Sequence, residues 1–171
     1  RATLVIKTMN GDFAKDREDA FLELIGDDPD IILINGVLSR ADTLSLMTCC
    51  DCVVSLHRCE GLGLVVAEAM ALGLPVIATD YAATTDLLSP ATGYPVGYRL
   101  VPVKKGEYPF GEGQKWADPD IGHAAWLMRH VINNPEEAQQ KATAAQQFIQ
   151  TNYNTQTILA RQMQRFTELT K

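Results

Sequence analysis

The sequence predicts an α/β fold built on a doubly wound parallel sheet and closed by C-terminal helices. Apolar, β-branched runs recur at residues 3–6, 31–34, 52–56 and 75–79. Each run is too short for a helix and nearly continuous in hydrophobicity, as strands covered on both faces are. Helical patterns lie between the runs, and this alternation of strand and helix is typical of a doubly wound sheet.

The helices of the first half follow from apolar side chains that recur on one face. The first helix is indicated by Phe13, Arg17, Ala20, Phe21, Leu24 and Ile25, and the second by Leu44, Met47 and Thr48. Residues 52–57 then predict a strand and 62–72 a helix, which leaves 58–61 as a loop at the carboxyl edge of the sheet. Open α/β sheets bind their ligands at that edge.

The second half is mainly helical. One stripe is predicted from Ile121, Ala124, Ala125, Met128, Val131 and Ile132. Residues 133–135 end that helix, and Pro135 begins the next one at a favourable first position. A closing amphipathic helix is predicted over Thr155–Leu169. Residues 93–113 are rich in Gly, Pro and Tyr and predict a strand followed by a long loop.

Composition narrows the class of protein. The 171 residues are 46% hydrophobic and carry a net charge of -6, which suits one soluble domain and argues against a nucleic-acid surface. No apolar run approaches the roughly 20 residues of a membrane span. The four cysteines, Cys49, Cys50, Cys52 and Cys59, lack the separated pairs of a zinc site, so we expect reduced thiols in a cytoplasmic protein and no bound metal.

The stretch Glu60-Gly61-Leu62-Gly63 stands where a loop meets a helix. Glycines there let backbone N–H groups approach an anion, and the positive end of the helix dipole favours a phosphate or diphosphate. Glu68 follows Glu60 by eight residues, about 12 Å along a helix, so the two carboxylates suit hydroxyl groups at opposite ends of one ligand. The alternative is that the glycines only permit a tight turn and that Glu68 is solvated.

The stretch EGLGLVVAEAMALGLPVIATD resembles the E-x7-E signature of group 1 (family 4) retaining glycosyltransferases, which use nucleotide sugars and have the GT-B fold. The wider sequence, from GVLSRADTLSLMTCCDCVVSLHRCEGLGL to WADPDIGHAAWLMRHVINNPE, is similar to bacterial mannosyltransferase-like members. The resemblance implies a Rossmann-like, C-terminal half of a GT-B enzyme. Residues 1–171 would form a single nucleotide-sugar-binding domain without the first βα unit and without the N-terminal acceptor domain.

The resemblance also implies roles for individual residues. Glu60 would act in catalysis at the hydroxyls of the transferred sugar, and Glu68 would hold the ribose. The remaining donor-binding positions would be Gly61, Leu62 and Gly63 at the sugar and diphosphate, Gly36 and Val37 at the base, Lys7 near the phosphates, and His57 and Arg58 at the sugar end. For Lys7, His57 and Arg58, contact with solvent is the alternative.

Two features depart from the family pattern. After the Pro-Val strand the family commonly has Gly-Gly and a glutamate, where this chain has Ala82-Ala83 and Asp86. An arginine and a lysine that bind the diphosphate in the family belong to the unit before the strand of Lys7. The closing helix resembles the segment that returns to the first domain of GT-B enzymes, so part of its stripe is expected to be exposed or buried against another copy.

The implied function is transfer of a hexose, with mannose the leading guess, from a GDP- or UDP-linked donor to a growing polysaccharide or lipopolysaccharide, with retention. No cofactor or metal is expected, and the isolated chain is expected to be inactive. The intact protein is expected in the cytoplasm, at the inner face of the bacterial inner membrane. Two alternatives stay open, a non-catalytic nucleotide-sugar-binding module and a GT-B sugar-nucleotide epimerase, and the oligomeric state is not predicted. A nicotinamide dehydrogenase is disfavoured because no G-x-G-x-x-G follows an opening strand.

Overall fold

The computed structural model describes residues 2–9 and 15–170, so Phe13, assigned above to the first helix, lies outside the described residues. The chain divides into two compact units, Arg1–Leu46 and Met47–Lys171. The boundary falls within the second helix. The prediction of one domain over residues 1–171 stays a prediction.

The first unit contains a two-stranded parallel sheet. Strand β1 (Leu4–Thr8) pairs with β2 (Ile31–Asn35), and helix α1 (Lys15–Ile25) connects them. Helix α2 (Arg40–Thr48) begins in this unit, and no described side chain of α1 or α2 is fully buried. The predicted strands are present and each runs one or two residues further than expected. Because the two strands are parallel, their carboxyl ends lie at one edge of the sheet.

The second unit is built on a three-stranded parallel sheet in the order β3-β4-β5. These strands cover Val53–Ser55, Val76–Thr79 and Tyr94–Val96, and helix α3 (Leu64–Ala71) joins the first two. Every residue of β4 is fully buried. Because successive side chains of a strand point to opposite faces, a strand buried in this way needs cover on both sides.

Helices supply that cover. Val76 and Ala78 pack with α3 and with Ala145 of α5 (Pro135–Asn152), whereas Ile77 packs with Leu127 of α4 (Ile121–Asn133). Helices on both faces of parallel strands confirm the predicted α/β, doubly wound class.

The predicted stripe of α4 needs correction. Ala124 and Val131 are buried, but Ile121 and Ile132 are 63% and 57% exposed, and the third buried position is Leu127. At 100° per residue, Ile121 and Ile132 lie about 60–80° round the helix from Ala124, on the side away from Leu127. The sheet therefore covers a narrower sector of the α4 surface than the positions of its apolar residues suggest.

An antiparallel hairpin follows β5. Its strands are β6 (Tyr98–Pro102) and β7 (Lys115–Pro119), with Leu100 opposite Ala117. The sequence predicted only a strand and a long loop up to residue 113, so β7 is an addition to the predicted fold.

The chain closes with α6 (Thr155–Leu169), whose bounds agree with the prediction. Its apolar side chains are 53–66% exposed at Leu159, Met163, Phe166 and Leu169, and none of its described residues is buried. This agrees with the expected exposure of part of the stripe. Across the part of the chain that the structure describes, no helix combines the length and apolar character needed to cross a bilayer.

Candidate functional site

The loop between β3 and α3 is closed by the side chain of Glu60. Its Oε1 atom accepts hydrogen bonds from the N–H groups of Leu62 and Gly63, at 3.2 and 3.0 Å. These bonds hold the pKa of Glu60 below its ordinary value. The Gly63 bond has the largest effect, the Leu62 bond the next largest, and the nearby His57 lowers the pKa further. The carboxylate is therefore ionised near neutral pH and lies beside the start of α3.

The two glycines of the loop have different environments. Gly63 has a φ of 76°, and a Cβ added there would lie 2.9 Å from Cδ1 of Leu87. The backbone conformation therefore favours glycine at this position, and a side chain there would also displace the end of Leu87. At Gly61 an added Cβ would meet nothing within 4 Å. Only Gly61 leaves open space next to its backbone, which is what the close approach of a ligand needs.

The first turn of α3 has amides that the helix itself does not use. The first helical bond runs from Ala67 N to the Gly63 carbonyl at 2.8 Å, and Gly63 caps the helix without a side chain. The helix therefore offers no acceptor for the N–H groups of Leu64, Val65 and Val66. These groups and the helix dipole favour an anion at this end.

Glu68 lies in the middle of α3 and is half-buried. Helical geometry places it on the face of Leu64 and Val65, which are exposed, and opposite the buried Val66 and Met70. Its position on the outer face of the helix agrees with a residue that a ligand could reach.

His57 is hydrogen-bonded through both ring nitrogens. Its Nδ1 lies 3.3 Å from Ser55 Oγ, and its Nε2 lies 3.1 Å from the Tyr81 carbonyl and 3.3 Å from Thr84 Oγ1. Because a carbonyl oxygen can only accept, Nε2 carries a proton. The structure thus directs the polar atoms of His57 to the protein's own loops.

Arg58 is directed to the hairpin. Its Nη2 donates to Asp118 Oδ1 at 3.1 Å and its Nε to the Ala117 carbonyl at 3.2 Å. The guanidinium also lies 4.4 Å from the ring centroid of Trp116. Asp118 pairs with Arg99 as well, at 2.8 Å, and Arg99 is the main cause that lowers the pKa of Asp118. In this structure Arg58 joins the loop before α3 to β7.

The loop after β4 lies beside Glu60. It forms a 3₁₀ helix at Ala82–Asp86, and Ala83 N donates to the Glu60 carbonyl at 3.3 Å. Ala82 has a φ of 60°, a conformation that glycine adopts without the strain of a side chain. This is the position where the resembled family commonly has glycine.

Three of the predicted site residues belong to the first unit. Lys7 is half-buried in β1, opposite Ile34. Gly36 follows β2 with a φ of 154°, and an added Cβ there would meet nothing within 4 Å. The side chain of Val37 is 79% exposed. Lys7 and Gly36 thus lie near the carboxyl ends of two paired strands, and their roles at the phosphates and the base stay predictions.

The cysteines offer no metal site. All four are free thiols, and Cys49 and Cys59 are exposed. Burial raises the pKa of Cys52 to about 12, so this thiol is neutral near pH 7. Among residues 2–9 and 15–170, no group of three or more His, Cys, Asp or Glu side chains could hold a metal ion.

Sequence reasoning missed Thr84. This residue is only 1% exposed, and its hydroxyl donates to the Thr79 carbonyl at 2.7 Å and also lies 2.9 Å from the Tyr81 carbonyl. Nothing in the stretch Ala82-Ala83-Thr84-Thr85 distinguishes this threonine from its neighbour. Its contact with His57 joins residues 27 positions apart.

Known proteins resemble this chain in sequence and in fold. The family model of Glycosyl transferases group 1 matches residues 5–105, more than half of the chain. No curated protein matches. Anabaena Alr3699/HepE, solved in complex with UDP, superposes with a TM-score of 0.72 at 19% identity, over 98% of this chain and 41% of that one. The same protein was also solved with UDP-glucose, and that structure superposes with a TM-score of 0.70.

Two further structures are similar. Sucrose-phosphate synthase from Thermosynechococcus elongatus has a TM-score of 0.72 at 18% identity, over 98% of this chain and 38% of that one. The C-terminal domain of LpcC, a glycosyl transferase group 1 family protein from Francisella tularensis, has a TM-score of 0.60 at 23% identity, over 84% and 64%. This chain spans about two-fifths of HepE. The chain belongs to the Glycosyl transferases group 1 family and has the Rossmann-like fold of the C-terminal half of a GT-B glycosyltransferase.

Proposed function

We propose that this chain binds a nucleoside diphosphate hexose, and that the intact protein transfers the hexose with retention to a growing polysaccharide or lipopolysaccharide. Family membership supports a glycosyltransferase. The observation that carries the proposal is the start of α3, where first-turn amides, the open backbone at Gly61 and the Glu60 carboxylate come together.

The diphosphate oxygens accept hydrogen bonds from the amides of Leu64, Val65 and Val66, and the absence of a side chain at Gly61 leaves room for their approach. Negative charge grows on the diphosphate as the glycosidic bond breaks, so these fixed N–H dipoles stabilise the leaving group. This proposal requires no metal ion or cofactor. The acceptor hydroxyl attacks the anomeric carbon on the face from which the diphosphate leaves, which retains the configuration, and its proton passes to the departing diphosphate oxygen. The sugar lies beside Glu60.

Each end of the donor has a proposed carboxylate. Both bonds that close the loop go to Oε1 of Glu60, so its second oxygen can accept from a sugar hydroxyl without opening the loop. Glu68, on the outer face of α3, accepts from the ribose hydroxyls. For the first unit, taken by itself, the resemblance implies that Gly36 and Val37 bind the base and that Lys7 supplies a cation, and these roles stay predictions.

The identities of the donor's base and sugar are also part of the proposal. The resemblance favours mannose from a guanosine diphosphate donor. HepE, which was solved with UDP and with UDP-glucose, supports uridine diphosphate hexoses as the second donor class. We place the reaction in the cytoplasm, with the intact protein at the inner face of the inner membrane.

Calorimetric titration of the intact protein with GDP-mannose and UDP-glucose tests the proposal. We expect one donor to bind, and Glu68→Ala to weaken its binding about tenfold or more, because hydrogen bonds to a charged group contribute about 1.5–3 kcal/mol. Glu112→Ala, which removes an exposed carboxylate of the hairpin loop, is the matched control and should bind like wild type. Equal affinity in wild type and Glu68→Ala would remove the ribose role.

An activity assay in the same protein separates the alternatives. Sugar transfer to an acceptor is the expected result for the intact protein, with none for residues 1–171 alone. Binding without transfer would indicate a non-catalytic module. Release of free nucleotide with an epimerised sugar would indicate an epimerase.

A further inference from the structure

We propose that His57 is a positioning residue, which fastens the loop after β4 to the loop before α3 and so holds Glu60 in place; this inference rests on the proposed function. Four residues form the fastening, named here the latch: Ser55, His57, Tyr81 and Thr84. Nothing in the latch needs to touch the donor.

The contacts of His57 support a positioning role. Its two ring nitrogens contact Ser55 Oγ on one side and the Tyr81 carbonyl and Thr84 Oγ1 on the other, at 3.1–3.3 Å. A donor hydroxyl could bind either nitrogen only by displacing one of these contacts. The imidazole therefore joins the end of β3 to the loop after β4.

Thr84 completes the fastening from inside the protein. Its buried hydroxyl lies 2.7 Å from the Thr79 carbonyl at the end of β4 and 2.9 Å from the Tyr81 carbonyl. The tight turn from Thr79 to Thr84 is thus fixed to the strand and to His57 at once. Removing the hydroxyl leaves buried carbonyl groups without that donor, which is costly.

The latch reaches the proposed site through one further hydrogen bond, which Ala83 N donates to the Glu60 carbonyl at 3.3 Å. Loop position and Glu60 position are therefore coupled. A loosened loop would lower the fraction of molecules in which Glu60 and the amides of α3 are arranged for the donor.

Two substitutions at His57 distinguish positioning from direct contact. The amide nitrogen of glutamine is four bonds from Cα, as Nε2 of histidine is, so His57→Gln can still donate to the Tyr81 carbonyl. The amide of asparagine is one bond shorter and corresponds to Nδ1. We expect His57→Gln to keep kcat/KM within about threefold of wild type and His57→Asn to lose about tenfold, the effect of one lost hydrogen bond.

Thr84 provides the second arm of the experiment. Thr84→Val keeps the shape and removes the hydroxyl, and we expect a loss of about tenfold, whereas Thr84→Ser should stay near wild type. The double variant His57→Asn/Thr84→Val should be little worse than either single variant, because both break one latch. In both His57→Asn and Thr84→Val the nucleotide sugar should weaken more than the free nucleoside diphosphate, because Glu60, which the latch holds, is the proposed acceptor for a sugar hydroxyl.

Each set of variants has a result that would contradict the latch. If His57 contacts the sugar, its variants will weaken the nucleotide sugar but not the free nucleotide, Thr84→Val will bind normally, and the latch proposal is wrong. Amide hydrogen exchange over residues 81–86 tests the latch without any ligand: His57→Asn and Thr84→Val should exchange faster, and unchanged exchange would also overturn it. If the wild-type protein binds no donor while His57→Asn and Thr84→Val still exchange faster than wild type, the proposed function is refuted but the latch is not.

Discussion

The starts of α3 and α4 are capped in different ways. At α4, Asp120 stands at the N-cap in an extended conformation, and its carboxylate accepts from His123 N at 2.9 Å. At α3, the N-cap is Gly63 in a left-handed conformation without a side chain, and the nearby carboxylate of Glu60 accepts from amides that precede the helix.

The difference distinguishes a helix start that is capped for stability from one whose amides stay available for binding. A carboxylate at the N-cap satisfies amides of the first turn and stabilises the helix. A glycine at the same place leaves the first-turn amides to another acceptor, while Glu60 contributes negative charge nearby. The start of α4 is thus completed by its own sequence, and that of α3 is completed by the proposed donor.

Replacement of Gly63 by alanine should give the largest effect. The left-handed φ and the 2.9 Å approach of the new Cβ to Leu87 Cδ1 together should lower the free energy of unfolding by roughly 2–3 kcal/mol. Gly61→Ala, where the same methyl group meets nothing, should change it by less than about 0.5 kcal/mol but weaken donor binding. Urea unfolding and donor titration of both variants provide the comparison, and an equal loss of stability in the two would contradict it.

The cap of α4 should give an intermediate effect on stability alone. Asp120→Ala should lower the free energy of unfolding by about 1 kcal/mol, because the His123 amide loses its acceptor. Asp120→Asn should lower it by only roughly 0.3 kcal/mol, because asparagine also caps helices. Neither variant should change donor affinity more than about twofold. Glu60→Gln should show the opposite pattern, with a small change in stability and a loss of donor turnover of about tenfold or more. A weakened donor in Asp120→Ala would remove the distinction between the two helix starts.

The pH dependence of stability should give the smallest effect. The folded pKa of Glu60 lies below the ordinary value of 4.5, so its contribution to stability is complete above that value and is lost as pH falls through the folded pKa. The exposed loop limits the size of the effect to the order of a few tenths of a kcal/mol. Urea unfolding of wild type and Glu60→Gln at pH 6 and at pH 3 should show their difference shrinking at the lower pH, and a constant difference would count against the Glu60 bonds.

Local signals explain which parts of the fold could be predicted. The bounds of α6 were predicted from its regular apolar stripe, and in the structure Asn154, just before the helix, accepts from Thr157 N at 2.9 Å. Helix α3 begins at Leu64, two residues later than predicted, because the left-handed Gly63 cannot belong to it. Strand β7 was missed because Lys-Trp-Ala-Asp-Pro has no apolar run, and its pairing with β6 crosses a long loop.

The same reasoning applies to the site. Glu60, Gly61 and Gly63 are neighbours in sequence, so their meeting at the helix start could be predicted. The contacts of His57 with Thr84 and of Arg58 with Asp118 span 27 and 60 positions, and no local pattern indicates them. The resemblance assigned both residues to the sugar end by position in the motif, whereas their hydrogen bonds depend on how distant loops pack.

Strand β4 limits the kinds of mutation that this protein can tolerate. Val76 and Ala78 face one hydrophobic core while Ile77 faces the other, and all are shut off from water. Insertion or deletion of a single residue ahead of Val76 would exchange the two sets of side chains between cores of different shape. This strand therefore tolerates substitution by residues of similar volume far better than a change in its length.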